Sequence, residues 1–160
     1  MFASSCDLQL QDDPNELTPD KADVDFLLNG MQYGVNEYFF ELSDYTMEAI
    51  RMCAMEPRSG TYETAYQPQD FDDMWEQAYV GILTDGNTLI GLAEERGLFV
   101  HSGIARTLQA YTLMTLVDYF GDVPWSEALD PNILTPNNDG GAEVYSAAEG
   151  LLDAAIADFD

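Results

Sequence analysis

Apolar residues return at threes and fours along four stretches of this chain, and no stretch alternates apolar with polar over a useful length. The pattern predicts helices throughout. In the first stretch Val24, Leu28, Met31, Val35, Tyr38, Leu42, Tyr45 and Ala49 share one face. Thr18-Pro19-Asp20 reads as the start, with a capping hydroxyl, a proline in the first turn and an acid near the positive end of the dipole. The run continues to Met55, and Pro57 ends it. Such a helix is about 50 Å long, more than a small domain needs. Ser43-Asp44 offers a place to break it. Gly30 and Gly34 each weaken the helix by about 1 kcal/mol relative to alanine, a loss that close helix packing offsets.

Asp70 caps the second stretch, with Asp72 and Asp73 in its first turn and Trp75, Tyr79, Ile82, Leu89 and Ala93 on the buried face as far as Arg96 and Gly97. Asp85-Gly86-Asn87 in the middle admits a kink. The third stretch organises the rest. Between Thr107 and Val117 no side chain is charged, although acids otherwise recur every few positions, so this helix is expected to be surrounded by protein. Ile104, Leu108, Tyr111, Thr115 and Tyr119 form one stripe, and Leu113, Leu116, Val117 and Phe120 fill the neighbouring face. The run falls short of the roughly 20 apolar residues that cross a bilayer, and Arg106 and Asp118 bound it. Gly121 closes the helix and Pro124 cannot continue it.

The short link from Gly97 to Ser102 makes the second and central helices an antiparallel hairpin, one tetratricopeptide-like unit without a clean repeat of about 34 residues. Beyond Trp125 come turn formers, Pro131, Pro136 and Asn137 to Gly141. A last helix begins near Ala142 and is expected to bury Val144, Tyr145, Leu151, Leu152, Ala155 and Phe159. The expected fold is all-α, built of tetratricopeptide-like antiparallel helical hairpins.

Composition changes this picture mainly through charge. The 160 residues hold 30 Asp and Glu against 5 Lys and Arg, a net charge of -25, with 46% hydrophobic and 12% aromatic side chains. That apolar content supports a packed core and argues against disorder. The acidity excludes nucleic acid as a partner, since the phosphate backbone would be repelled. It also loads the compact state with self-repulsion that salt relieves, which suits a protein living in brine.

Two cysteines and one histidine are too few for a zinc site or a disulfide framework, and no cofactor motif is present. Cys53, beside Met52 in a helical run, reads as a small core residue. His101 near a helix start reads as a capping or surface residue rather than a general base. Asp72-Asp73 and Glu94-Glu95 invite a two-carboxylate glycosidase reading, but both pairs fall at helix ends in a chain crowded with acids, so no catalysis is expected. Asn137-Asn138-Asp139-Gly140 lacks the alternating ligands of a calcium loop and reads as a turn.

Candidate binding chemistry lies in the loop from Pro57 to Gln69. Tyr62 and Tyr66 stand there outside any apolar face, and Arg58 adds a fork of donors in a chain almost devoid of bases. Flat rings cover sugar faces while polar donors fix hydroxyls, so Arg58, Tyr62 and Tyr66 are the expected ligand contacts. The alternative is that both tyrosines tuck back onto the hairpin. Trp125, just past the central helix, is placed where it could face a partner.

At the N-terminus, Met1 to Cys6 reads MFASSC, with small residues before a cysteine. This resembles the end of a bacterial lipoprotein signal, with Ala3 where a leucine is usual and the basic and apolar regions absent. Either that start is trimmed or the match is coincidental. The larger resemblance is carried by Ala110 and Tyr111 in the central helix, then Phe120, Gly121, Asp122, Val123, Pro124, Trp125, Glu127 and Ala128. Helix-stop chemistry alone does not dictate the aspartate, the valine or the aromatic after the proline. The sequence LQAYTLMTLVDYFGDVPWSEAL is similar to SusD/RagB-type nutrient-binding outer-membrane lipoproteins. The resemblance implies a lipid anchor at Cys6, with residues 1-17 as a trimmed signal end and tether and 18-160 as the N-terminal helical part of a SusD-like domain. Its members run to several hundred residues, and LLDAAIADFD carries a helical pattern with no cap, so the chain reads as a fragment of a larger helical domain. The implied role is capture of a glycan or other nutrient at the cell surface, on the outer membrane, for a SusC-like TonB-dependent transporter. The rival reading is a soluble tetratricopeptide-like scaffold that binds other proteins.

Overall fold

A computed structural model describes residues 22–54 and 66–160. Helix α1, Val24–Ala49, is continuous through Ser43-Asp44. After it come a 3₁₀ turn at Pro68–Phe71, a short α2 at Asp72–Glu76, a π-helical segment at Gln77–Thr84, α3 at Asp85–Glu95, α4 at Phe99–Phe120 and α5 at Gly141–Phe159. Among the described residues no strand forms; Val123 and Asp139 make an isolated antiparallel bridge.

Contacts at the helix ends fix the directions. Arg96 at the end of α3 donates to the Ala22 carbonyl, while Tyr45 late in α1 donates to that of Asp70, so α1 runs antiparallel to the 68–95 segment. The tight link at Gly97 turns α3 into α4. Asp158 of α5 pairs with Arg106 early in α4, and Asp122 after α4 meets Gly141 at the start of α5. These are the antiparallel hairpins that the apolar periodicity predicts. Helix α4 packs against α5, α3, the π segment and α1, which makes it the interior rod. No residue from Leu108 to Val117 is exposed, and Ala110, Leu113 and Leu116 are fully buried. Within it, the stripe ending in Tyr119 is half-buried to exposed, and the deepest positions are those of Ala105, Gln109, Thr112, Leu113 and Leu116.

Several boundaries differ from the sequence pattern for identifiable reasons. Helix α1 begins at Val24, where Asp23 is extended and its carboxylate accepts from Asp25 N–H at 2.9 Å as the cap; Thr18, the expected start, lies outside the described residues. It also stops at Ala49, short of Met55. Arg51 takes a positive φ of 59°, its N–H reaches Glu48 O, and Met52 N–H reaches Met47 O at 2.9 Å, which is a Schellman closure without the usual glycine. Cys53 therefore falls beyond the helix and is exposed, not core. The same closure ends α3 with Gly97 at φ 68°, where glycine made it readable.

The middle stretch is irregular, but upstream of the expected kink. In the π segment Thr84 Oγ1 donates to Tyr79 O at 2.7 Å, and buried Gln109 of α4 donates to Leu83 O at 2.9 Å. Side chains thus satisfy carbonyls at the widened turns. Gly81 there allows α1 to come close: a Cβ on Gly34 would stand 3.3 Å from Gly81 O, whereas one on Gly30 would meet open space. Only Gly34 has the packing compensation expected for both. In α5, Val144, Ala148 and Ala155 are buried, Tyr145, Leu151 and Leu152 are half-buried, and Phe159 is 51% exposed rather than core.

Candidate functional site

The exit from α4 is a clasp. Gly121 has φ 79°, a conformation a side chain would strain, and turns the chain out of the helix. Asp122 accepts from Gly141 N–H at 3.0 Å and so caps α5, whose start has no capping side chain of its own. Val123 is fully buried. The Pro124 carbonyl accepts from the Tyr79 hydroxyl at 2.6 Å. Asp139 takes the Trp125 and Ser126 N–H groups, each at 2.8 Å, and the Ser126 hydroxyl at 2.7 Å. Those bonds, Ser126 first, hold its carboxyl below the usual carboxylate range. Glu127 closes the far side by accepting from both nitrogens of Asn137 at 3.0 Å. Each distinctive residue from Gly121 to Glu127 thus has a part in joining two helices, and Trp125 packs half-buried against the core.

From this clasp a row of rings crosses the molecule. Tyr79 stacks on Trp75 at 5.4 Å, Trp75 lies 4.8 Å from Phe120, Phe120 meets Phe71 edge-on at 5.6 Å, and Phe71 lies 4.8 Å from Tyr45. Tyr66 ends the row, 6.2 Å from Tyr45 and 6.5 Å from Phe71. The helical segments set Tyr79, Trp75, Phe120 and Tyr45, and the turn at Pro68–Phe71 sets Phe71. There Asp70 accepts from Gln67 N–H at 2.8 Å in a capping box.

Two clefts open on either side of the Tyr45 and Tyr66 rings. One, of about 310 Å³, has Phe40 as a third ring and Glu41, Asp44, Glu48, Asp70 and Asp73 around it. The other, of about 370 Å³, is more apolar and is walled by Ala49, Phe71 and Tyr119, with Thr46 and Asp118 as polar groups. Both fall in the lower range of small-ligand pockets. Burial, with Asp73 and Glu37 adding like charge, raises the Glu41 pKa. Burial also raises the Tyr45 and Tyr119 pKa values, so their hydroxyls stay neutral donors. Tyr38, beneath the site with its hydroxyl 2.9 Å from Thr115, is pushed up to about 12 by burial.

Of the residues read from sequence as ligand contacts, Tyr66 is the one placed here, half-buried, at φ 73° and lining both clefts. Arg58, Tyr62 and the lipid-attachment candidate Cys6 lie outside the described residues. Tyr45 and Tyr119 line the clefts although each falls at core spacing in its helix, which hides them in the sequence pattern. Both stand near the C-terminal ends of their helices, where the apolar stripe runs out. The other candidates have structural roles: His101 pairs with Asp25 at 2.8 Å, and Glu94 pairs with Arg106. Among the described residues no group of three potential ligands is arranged to hold a metal, and no helix is long and apolar enough to cross a membrane.

An all-α hairpin array closed by a Gly-Asp-Val-Pro-Trp clasp defines the class. Residues 14–160 match the SusD-like family described as starch-binding and associating with the outer membrane, and the chain belongs to that family. No curated protein matches the chain.

Proposed function

We propose that the protein captures glycans on the bacterial outer membrane, held there by a lipid on Cys6, and passes them to a SusC-like TonB-dependent transporter. The family match over nearly the whole chain carries this reading. The Tyr45 and Tyr66 clefts support it chemically, since rings that are flanked by carboxylates and hydroxyls suit the apolar faces and polar edges of sugars. Binding, not turnover, is the activity. Arg58 and Tyr62, eight and four positions before Tyr66, are proposed as further contacts.

A glycan-array screen followed by calorimetric titration tests the role. Affinity for a maltooligosaccharide or another array hit, lost on Tyr66→Ala with the helical spectrum unchanged, supports it; no binding to any glycan contradicts it. Palmitate labelling that disappears on Cys6→Ser tests the anchor, and co-purification with a TonB-dependent channel tests the partner.

A further inference from the structure

Helix α1 carries two stripes of seven-residue spacing. Val24, Met31 and Tyr38 face the core, and two residues on in each case Phe26, Tyr33 and Phe40 face outward at 76%, 67% and 68% exposure. Seven residues advance the helix by about 10.5 Å and leave the side chains within about 20° of one line. Three large rings in a file on a surface are not the scattered exposure that any soluble protein shows.

The positions between the rings indicate what covers them. A partner helix packed as a coiled coil needs apolar residues three places after each ring, and those places hold Asn29, Asn36 and Ser43. Glu37 and Asp44 border the file, and α1 contains no basic residue. Rings separated by amide and carboxylate groups suit a sugar chain, whose faces are apolar and whose edges are hydroxylated. In an extended β-1,4-linked chain each sugar is turned over relative to the last, so the same face returns every second sugar, close to the helix's own advance between rings. Bordering carboxylates favour a chain bearing cations. The file is also continuous with the acidic cleft, because Phe40 lines it together with Glu41 and Asp44.

We propose that the outer face of α1 from Phe26 to Phe40 is a platform for an extended amino-sugar glycan, which it leads into the cleft at Tyr45 and Tyr66. This rests on the glycan-capture reading and adds the ligand's charge and its path.

Titration with a glucosamine hexaose, below the pKa of its amines and at low salt, tests it against the N-acetylated hexaose and maltohexaose. The expected result is at least about tenfold tighter binding of the free-amine chain, lost by a similar factor in Phe26→Ala/Tyr33→Ala. Glu149→Gln/Asp153→Asn on α5 should leave it unchanged. Equal affinity for the N-acetylated chain, an equal loss in the α5 variant, or full affinity in the ring variant overturns the proposal. Maltohexaose binding that Tyr45→Ala abolishes but Phe26→Ala/Tyr33→Ala spares leaves glycan capture standing and removes the platform. A dimer that dissociates in the ring variant assigns the stripe to a second copy and overturns it as well.

Discussion

The clasp after α4 and the cleft beside Tyr45 lie at opposite ends of one row of rings, and they treat carboxylates in opposite ways. In the clasp, Asp122, Glu127 and Asp139 each accept specific hydrogen bonds that join α4 to α5. In the cleft, no ion pair among the described residues reaches Glu41, Asp44, Glu48 or Asp73, and like charges crowd one another. Acids that are all engaged locally hold a fold together. Asp70 of that cleft is engaged by Gln67, but the acids gathered round the half-buried rings without such partners stabilise nothing by themselves, which is the arrangement expected where a ligand supplies the missing contacts.

This contrast is open to test by substitution. The largest effect is expected in the rod that both regions lean on: Leu113→Ala, at a fully buried position, should cost about 2–5 kcal/mol in urea unfolding. Asp139→Ala should cost about 1–2 kcal/mol, limited by water reaching the released N–H groups. The acid limb sharpens this prediction. Because the folded-state pKa of Asp139 is depressed, its contribution is complete above its ordinary value near 4 and lost as pH falls through the folded value. Wild type should therefore lose stability in that window by an amount that Asp139→Asn does not, as followed by circular dichroism. Between the two glycines of α1, Gly34→Ala should destabilise by about 1 kcal/mol through the Gly81 approach, while Gly30→Ala should stabilise by up to about 1 kcal/mol. Tyr66→Ala should change unfolding least, since the ring is half-buried at the end of its row, yet should reduce glycan affinity.

The fold was legible where local chemistry and burial agree. The uncharged run before Asp118 marks an interior helix, and Gly97 and Gly121 mark turns that need a positive φ. It was less legible where tertiary contacts decide. Asp23 caps α1 at Val24, and Arg51 closes it in a conformation normally left to glycine, which places Cys53 at the surface. The π segment depends on Gln109, 26 residues after Leu83 in sequence, so no local pattern marks it. The clasp motif identified the family from sequence, but its purpose became visible only with Asp139 and Gly141 beside it. The cleft was half legible. Tyr66 stands out as a loop aromatic, whereas Tyr45 and Tyr119 carry the same spacing as core residues and differ from them in lying near the C-terminal ends of their helices.

The central claim is that glycan capture belongs to the cleft and fold closure to the clasp. Tyr45 lines both clefts and takes no part in the exit from α4. Calorimetric titration of Tyr45→Ala and Asp139→Ala with a glycan that wild type binds measures the claim directly. Affinity should fall at least about tenfold in the first and stay within about twofold in the second at a temperature where both are folded. Unchanged affinity in Tyr45→Ala, or a greater loss in Asp139→Ala, would contradict it.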